Sequence, residues 1–262
     1  MKNNDTALYP TFIKRIYSVW YRHFKVYTKN IISNGLPPFL EPLIFLAGMG
    51  LGLTNYIVSM DGVPYIRFLA TGLLVTSAMF TSAFECSYGT FIRMEFDKVY
   101  DAMLAAPITL KNLLFGEILW AGTKGFFFSL AVLVVISIFG IIPIKAILLA
   151  PFAGFVTGIM FAALSLLVTS FVNDINQFNF YFTGFLSPMF FFSGVVFPLE
   201  KLPAFIRPVA EIFPLTHSVR LVRALCGFGF GWHLLYDAAF IIVFTCITGY
   251  FAVKRLGRRL IF

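Results

Sequence analysis

An ionisable side chain inside an apolar run must be paired, be neutralised or do work. Glu41, Glu85, Glu117 and Lys124 are residues of this kind. Glu117 and Lys124 are seven residues apart, two turns along a helix and on nearly one face. Two kinds of chemistry follow from them. Glu117 or Glu85 can pair with Lys124 and hold helices together, or the carboxylates can mark a polar pathway. A lone glutamate can also carry protons, the chemistry of a proton-coupled secondary transporter using Glu85 or Glu117. Soluble-enzyme chemistry finds no support in the spacing. His23, His217 and His233 are far apart, follow no metal-ligand pattern, and read as interfacial or capping residues. Ser187, Ser193 and His217 offer a nucleophile and a base, but no motif joins them. Gly122-Thr123-Lys124-Gly125 has the residue types of a phosphate loop, yet it lies inside an apolar run rather than between strand and helix. Cys86, Cys226 and Cys246 lack zinc-site spacing and read as small hydrophobes.

The elements that position these groups are set by composition. Of 262 residues, 59% are hydrophobic and 12% charged, against about 45–50% and about 25% in a soluble domain. Such a chain requires a bilayer as solvent. Six apolar segments, over 37–58, 66–89, 112–141, 146–172, 177–197 and 232–253, are each long enough to cross about 30 Å of hydrocarbon as helices. The expected fold is therefore all-α and polytopic, one transmembrane domain over 1–262 with six spans.

The net charge of +8 belongs to topology, not to nucleic acid. With the N-terminus inside, thirteen lysines and arginines fall on the inner side and six on the outer. That bias predicts both termini in the cytoplasm of a multi-pass inner (plasma) membrane protein. Residues 9–30 predict an amphipathic helix in the cytoplasmic interface. Tyr9, Ile13, Ile16, Trp20, Phe24 and Tyr27 share one face, while Lys14, Arg15, Arg22, Lys25 and Lys29 meet lipid headgroups on the other. Two connections exceed simple turns. Residues 91–111 are charged, cytoplasmic and helical up to Pro107. Residues 198–231 face outward, cut by Pro198, Pro203, Pro208 and Pro214 into re-entrant half-helices over 204–213 and 218–226, the second capped by Thr216 or Ser218. The aromatic cluster around Phe178, Tyr181, Phe182 and Phe185 is dense enough to line an apolar or sugar-stacking path.

This organisation resembles an ABC-2 type transporter permease of the nodulation protein J-like branch. The stretches that carry the likeness are 68–109 (most tellingly Tyr100–Pro107), GEILWAGTKG (116–125), SPMFFFSGVVFPLEKLP (187–203) and FPLTHSVRLVRAL (213–225). The resemblance implies a non-catalytic half of an ATP-driven exporter, paired with a second copy, a homodimer in the simplest case. A separate ABC ATP-binding subunit would hold ATP and Mg, with no cofactor in this chain. It implies that 91–106 is a coupling helix docking in the ATPase through Arg93, Glu95, Phe96, Asp97, Lys98, Tyr100 and Asp101. Asp174, in the turn at 173–176, would make a smaller contact. Spans one, two and five would line the path, bringing Glu41, Glu85, Phe178, Tyr181, Phe182 and Phe185 towards an amphipathic substrate. Such substrates are lipid-linked or acylated saccharides, polysaccharides or drugs.

Overall fold

The computed structural model describes residues 10–32, 36, 40, 43–54, 56–57, 59–60, 62–138, 140–141, 149–229 and 231–261. Glu41 and Tyr9 lie outside the described residues, as do 37–39, 42, 55 and 58 of the first predicted span. Within that span, 43–54 is helical (α2). Before it runs the amphipathic helix α1 (Phe12–Lys29). A two-residue antiparallel hairpin, Ser59–Met60 with Val63–Pro64, leads into α3 (Tyr65–Phe96). Then come the short α4 (Val99–Leu104), α5 (Leu110–Ile138) and α6 (Ala150–Thr169). A continuous helical run over 175–192 forms α7; α8 (Arg207–Ile212), α9 (Pro214–Arg223) and α10 (His233–Ile261) complete the chain.

Among the described residues, α3, α5, α6 and α10 are long and apolar enough to cross a membrane. The protein is thus all-α and polytopic. α6 packs closely on α5, and small residues permit it. A Cβ on Gly125 would sit 2.8 Å from the Gly154 carbonyl, and one on Gly158 would sit 3.0 Å from the Gly122 Cα. Close helix approach of this kind is how membrane helices gain contact where lipid is as apolar as the side chains. α3 runs through the middle of the bundle, its residues from Tyr65 to Met79 almost wholly buried. α10 does the opposite: Ile242, Val243, Ile247 and Phe251 stand exposed along it, an apolar surface that only lipid or another apolar partner can cover.

The two ends of the bundle differ. At one end gather α1, α4, the turn at 173–177 and the C-terminal turns of α10, with Arg259 bonded to Glu95 at 2.9 Å and to the Thr169 carbonyl at 3.0 Å. At the other lie the hairpin, α8 and α9, where Arg223 donates to the Gly194 carbonyl at 2.7 Å and Arg67 to the Cys226 carbonyl at 3.2 Å.

Several sequence expectations need correction. The predicted helix over 91–106 is two helices. α3 continues to Phe96, and the chain turns at Lys98 (φ 51) before α4 begins. Lys98 is the one non-glycine residue with positive φ among the described residues, a conformation the sequence does not signal. α9 starts at Pro214, whose ring suits a first helical turn. No side-chain cap is used: Thr216 Oγ1 instead bonds the Ala210 carbonyl at 2.5 Å. The fifth predicted span ends its helix at Phe192, and Gly194 turns the chain at φ 82.

Candidate functional site

A buried polar network lies where α1, α3, α4 and α5 converge. Glu117 on α5 is fully buried, and both its oxygens are occupied. Oε2 accepts from Arg93 Nη2 at 2.7 Å, and Oε1 from the Tyr100 hydroxyl at 2.8 Å. His23 Nε2 of α1 lies 2.9 Å from Oε1. Glu85 on α3 is filled in the same way, by Arg93 Nη1 at 2.7 Å on Oε1 and Lys124 Nζ at 2.7 Å on Oε2. Arg93 therefore bridges two carboxylates with one planar fork, a task suited to guanidinium rather than ammonium. Lys124 sits 5.0 Å from the Tyr27 ring centre, which returns the network to α1.

Local structure makes room for this. α3 widens into π-helical turns at Glu85–Gly89 and Ile92–Phe96, a distortion that often accompanies function. Gly89 has no side chain where a Cβ would stand 3.1 Å from Arg93 Nη1. The guanidinium folds back along its own helix into that space. Tyr100, on the far side of the Lys98 turn, is buried. Burial first, and the neighbouring Glu117 carboxylate second, push its hydroxyl well above the ordinary 10.0, so it acts as a donor.

The oxygens of Glu85 and Glu117 and a nitrogen of His23 lie within 4.8 Å of one another, a donor set of metal-binding type. Arg93 and Lys124 already balance the two carboxylates there, so a divalent cation would have to displace both. The charge balance marks a structural joint. It also leaves neither glutamate a free oxygen, which weighs against proton carriage.

The predicted site residues divide. Glu85 pairs with Lys124, one of the two pairings open from the sequence. Glu117 takes Arg93 instead, a residue the resemblance assigned to docking. Of the expected coupling residues, Arg93 and Tyr100 turn inward, and Glu95 bonds Arg259. Phe96 (64% exposed), Asp97, Lys98 and Asp101 face outward. Asp174 is exposed and accepts from the Asn176 amide at 2.7 Å. On α7, Phe178 is buried against Tyr88 and Phe91, and Tyr181 bonds Ser165 at 2.9 Å. Phe182 and Phe185 are more open; Phe182 lies near Phe84 and Tyr88, which the sequence did not single out, and Phe185 near Tyr181 and Phe213. His23 is not interfacial but buried, because α1 lies flat along α5, with Trp20 Nε1 donating to Thr123 Oγ1 at 3.0 Å.

A second polar cluster occupies the opposite end. His217, on α9, is buried; its Nδ1 is 2.6 Å from Asp237 Oδ1 and its Nε2 3.0 Å from the Glu211 carbonyl. Arg220 reaches Asp237 Oδ1 at 3.3 Å and also pairs with Glu211. With both ring nitrogens engaged, His217 has no free nitrogen to serve Ser187 or Ser193 as a base.

Residues 14–226 match the model of the family described as ABC-2 type transporter. Nodulation protein J of Sinorhizobium fredii (strain NBRC 101917 / NGR234) is 33% identical over 248 residues, 93% of each chain. That of Rhizobium meliloti (strain 1021) is 36% identical over 208 residues, 79% of each. Inner membrane transport permease YadH of Escherichia coli (strain K12) is 20% identical over 231 residues, 88% of each.

Proposed function

We propose, from the premise that this chain belongs to the ABC-2 type transporter family, that it is the membrane half of an ATP-driven exporter. Two identical copies form the passage, and an ABC ATP-binding subunit, the partner that the family implies, supplies ATP hydrolysis. Both termini lie in the cytoplasm of the inner membrane. The cargo is an amphipathic molecule such as a lipid-linked or acylated saccharide, a polysaccharide or a drug.

One observation carries the reading. The exposed corner Phe96-Asp97-Lys98, continued by Asp101, is attached to the bundle on both sides, by Arg93 before it and Tyr100 after it, and both end on Glu117 of α5. An apolar anchor ringed by both signs of charge suits a protein interface. A displacement of this corner by the ATPase moves α3 and α5 together, as rigid elements in alternating access. Asp174, at the same end, adds a lesser contact. Phe84, Tyr88, Phe182 and Phe185 supply an aromatic wall for the cargo.

The test is co-purification in mild detergent with the ATPase encoded alongside or captured from the host. Asp97→Lys with Lys98→Glu should reduce retention of the nucleotide-binding subunit while the melting temperature stays unchanged. Full retention by the reversed variant, or labelling of a cysteine at Asp97 from the outer side, would overturn the proposal.

A further inference from the structure

Between the C-terminal half of α1 and the middle of α5 lies a cavity of about 550 Å³, open to one side. Phe24, Tyr27 and Ile31 form one wall; Trp120, Phe127 and Ala131 form the other. Lys124 is the one charged residue among the described residues of the lining, and its ammonium is committed to Glu85. The cavity is of ligand size, yet it would take only about one turn of a helix 10–12 Å across. That excludes a partner helix and suits a single flexible chain.

The rim supplies the second half of the recognition. Lys25 and Lys29 are exposed and follow directly on the lining residues Phe24 and Thr28. α1 as a whole carries Lys14, Arg15, Arg22, Lys25 and Lys29 and no acidic residue. An apolar slot beneath a cationic edge, on a helix lying against a membrane-spanning one, is complementary to one chemistry: an acyl chain joined to an anionic headgroup. We infer that this groove holds one acyl chain of an anionic glycerophospholipid from the leaflet that α1 borders, with its headgroup on Lys25 and Lys29. The occupant is a resident lipid, distinct from the transported cargo. Because Lys124 belongs both to the groove wall and to the polar network, occupancy also fixes the α1–α5 joint.

The inference rests on the chain spanning a membrane and not on its partner ATPase, so co-purification of a nucleotide-binding subunit has no bearing on it. The probe is phosphatidylglycerol brominated on its acyl chains, added in increasing fraction to phosphatidylcholine vesicles containing the full-length protein. Bromine quenches tryptophan at contact, and a Trp120→Phe variant subtracts the signals of Trp20 and Trp232. Quenching of Trp120 should saturate at a fraction of brominated phosphatidylglycerol on the order of tenfold lower than of brominated phosphatidylcholine. Lys25→Glu with Lys29→Glu should abolish that preference. Ala131→Phe, which fills the groove and leaves the lysines, should abolish the saturable quenching. Native mass spectrometry should find one phosphatidylglycerol retained by the parent and none by the Ala131→Phe chain. Equal quenching by the two lipids, or a headgroup preference that survives Ala131→Phe, would overturn the assignment.

Discussion

Replacing Arg93 by methionine keeps the length of the side chain and removes the charge that joins α3 to α5. The guanidinium is 15% exposed and lies 2.7 Å from Glu85, itself 13% exposed, and 2.7 Å from fully buried Glu117. Removing one member of a buried pair costs about 3–5 kcal/mol, because the other charge is left without compensation. The loss falls mainly on Glu117. Glu85 keeps Lys124 at 2.7 Å, whereas Glu117 retains only the Tyr100 hydroxyl and His23. At ~2–4 °C per kcal/mol for a chain of this size, Arg93→Met should lower the melting temperature by about 6–20 °C. Glu117→Gln added to it should restore part of the loss. The amide still accepts from Tyr100 and buries no charge, so the coupling between the two sites should be about 1–3 kcal/mol. The assay is thermal unfolding in detergent, followed by loss of the monodisperse chromatographic peak, for the parent, both single variants and the double. Shifts that simply add, or an Arg93→Met shift under about 2 °C, would refute the assignment of Arg93 as the bridge.

Tyr100→Phe removes a hydrogen bond to a buried carboxylate and should cost about 1.5–3 kcal/mol in the same melting assay. Because the Tyr100 hydroxyl is held above its ordinary 10.0 in the folded chain, its contribution is complete below that pH. It is lost as pH rises through the folded-state value; melting temperatures taken between about pH 9 and 11 should therefore fall less steeply for Tyr100→Phe than for the parent. Gly125→Leu should separate α5 from α6, since even a Cβ there meets the Gly154 carbonyl at 2.8 Å. A loss of at least about 1–3 kcal/mol, read as reduced monodisperse yield, is expected. At the other end of the bundle, Asp237→Ala strips a buried acceptor from His217 and should cost about 1–3 kcal/mol. Glu211→Ala, whose carboxylate is 44% exposed, should cost under about 1 kcal/mol by the same melt.

The parts legible in the sequence are those with a local period. Continuous apolar runs announced α3, α5, α6 and α10, and the basic stripe announced α1. The register of α1 was less legible. Ile13, expected on the apolar face, is 77% exposed, while Val19 and His23 are buried, because the helix fits one particular groove of α5 rather than a uniform interface. The polar network was half legible. Glu85, Glu117 and Lys124 stood out as charges in apolar runs, and a pairing of Glu85 with Lys124 was open. Arg93 and His23 did not declare themselves, since pairing across helices leaves no period in the chain. One signal was available: Gly89, four residues before Arg93, clears the helix face over which the guanidinium folds. The turn at Lys98 had no signal at all, since lysine has no preference for positive φ; tertiary contacts on both sides impose it.

That turn has a mechanical consequence. A bend between two helices ordinarily acts as a hinge, and a push on its outer edge is absorbed as flexing. Here Arg93 upstream and Tyr100 downstream of the bend are clamped to the same carboxylate, which triangulates the corner like a gusset in a frame. A load applied at Phe96 or Asp97 is therefore shared with the base of α5 through both clamps rather than left to the elbow alone.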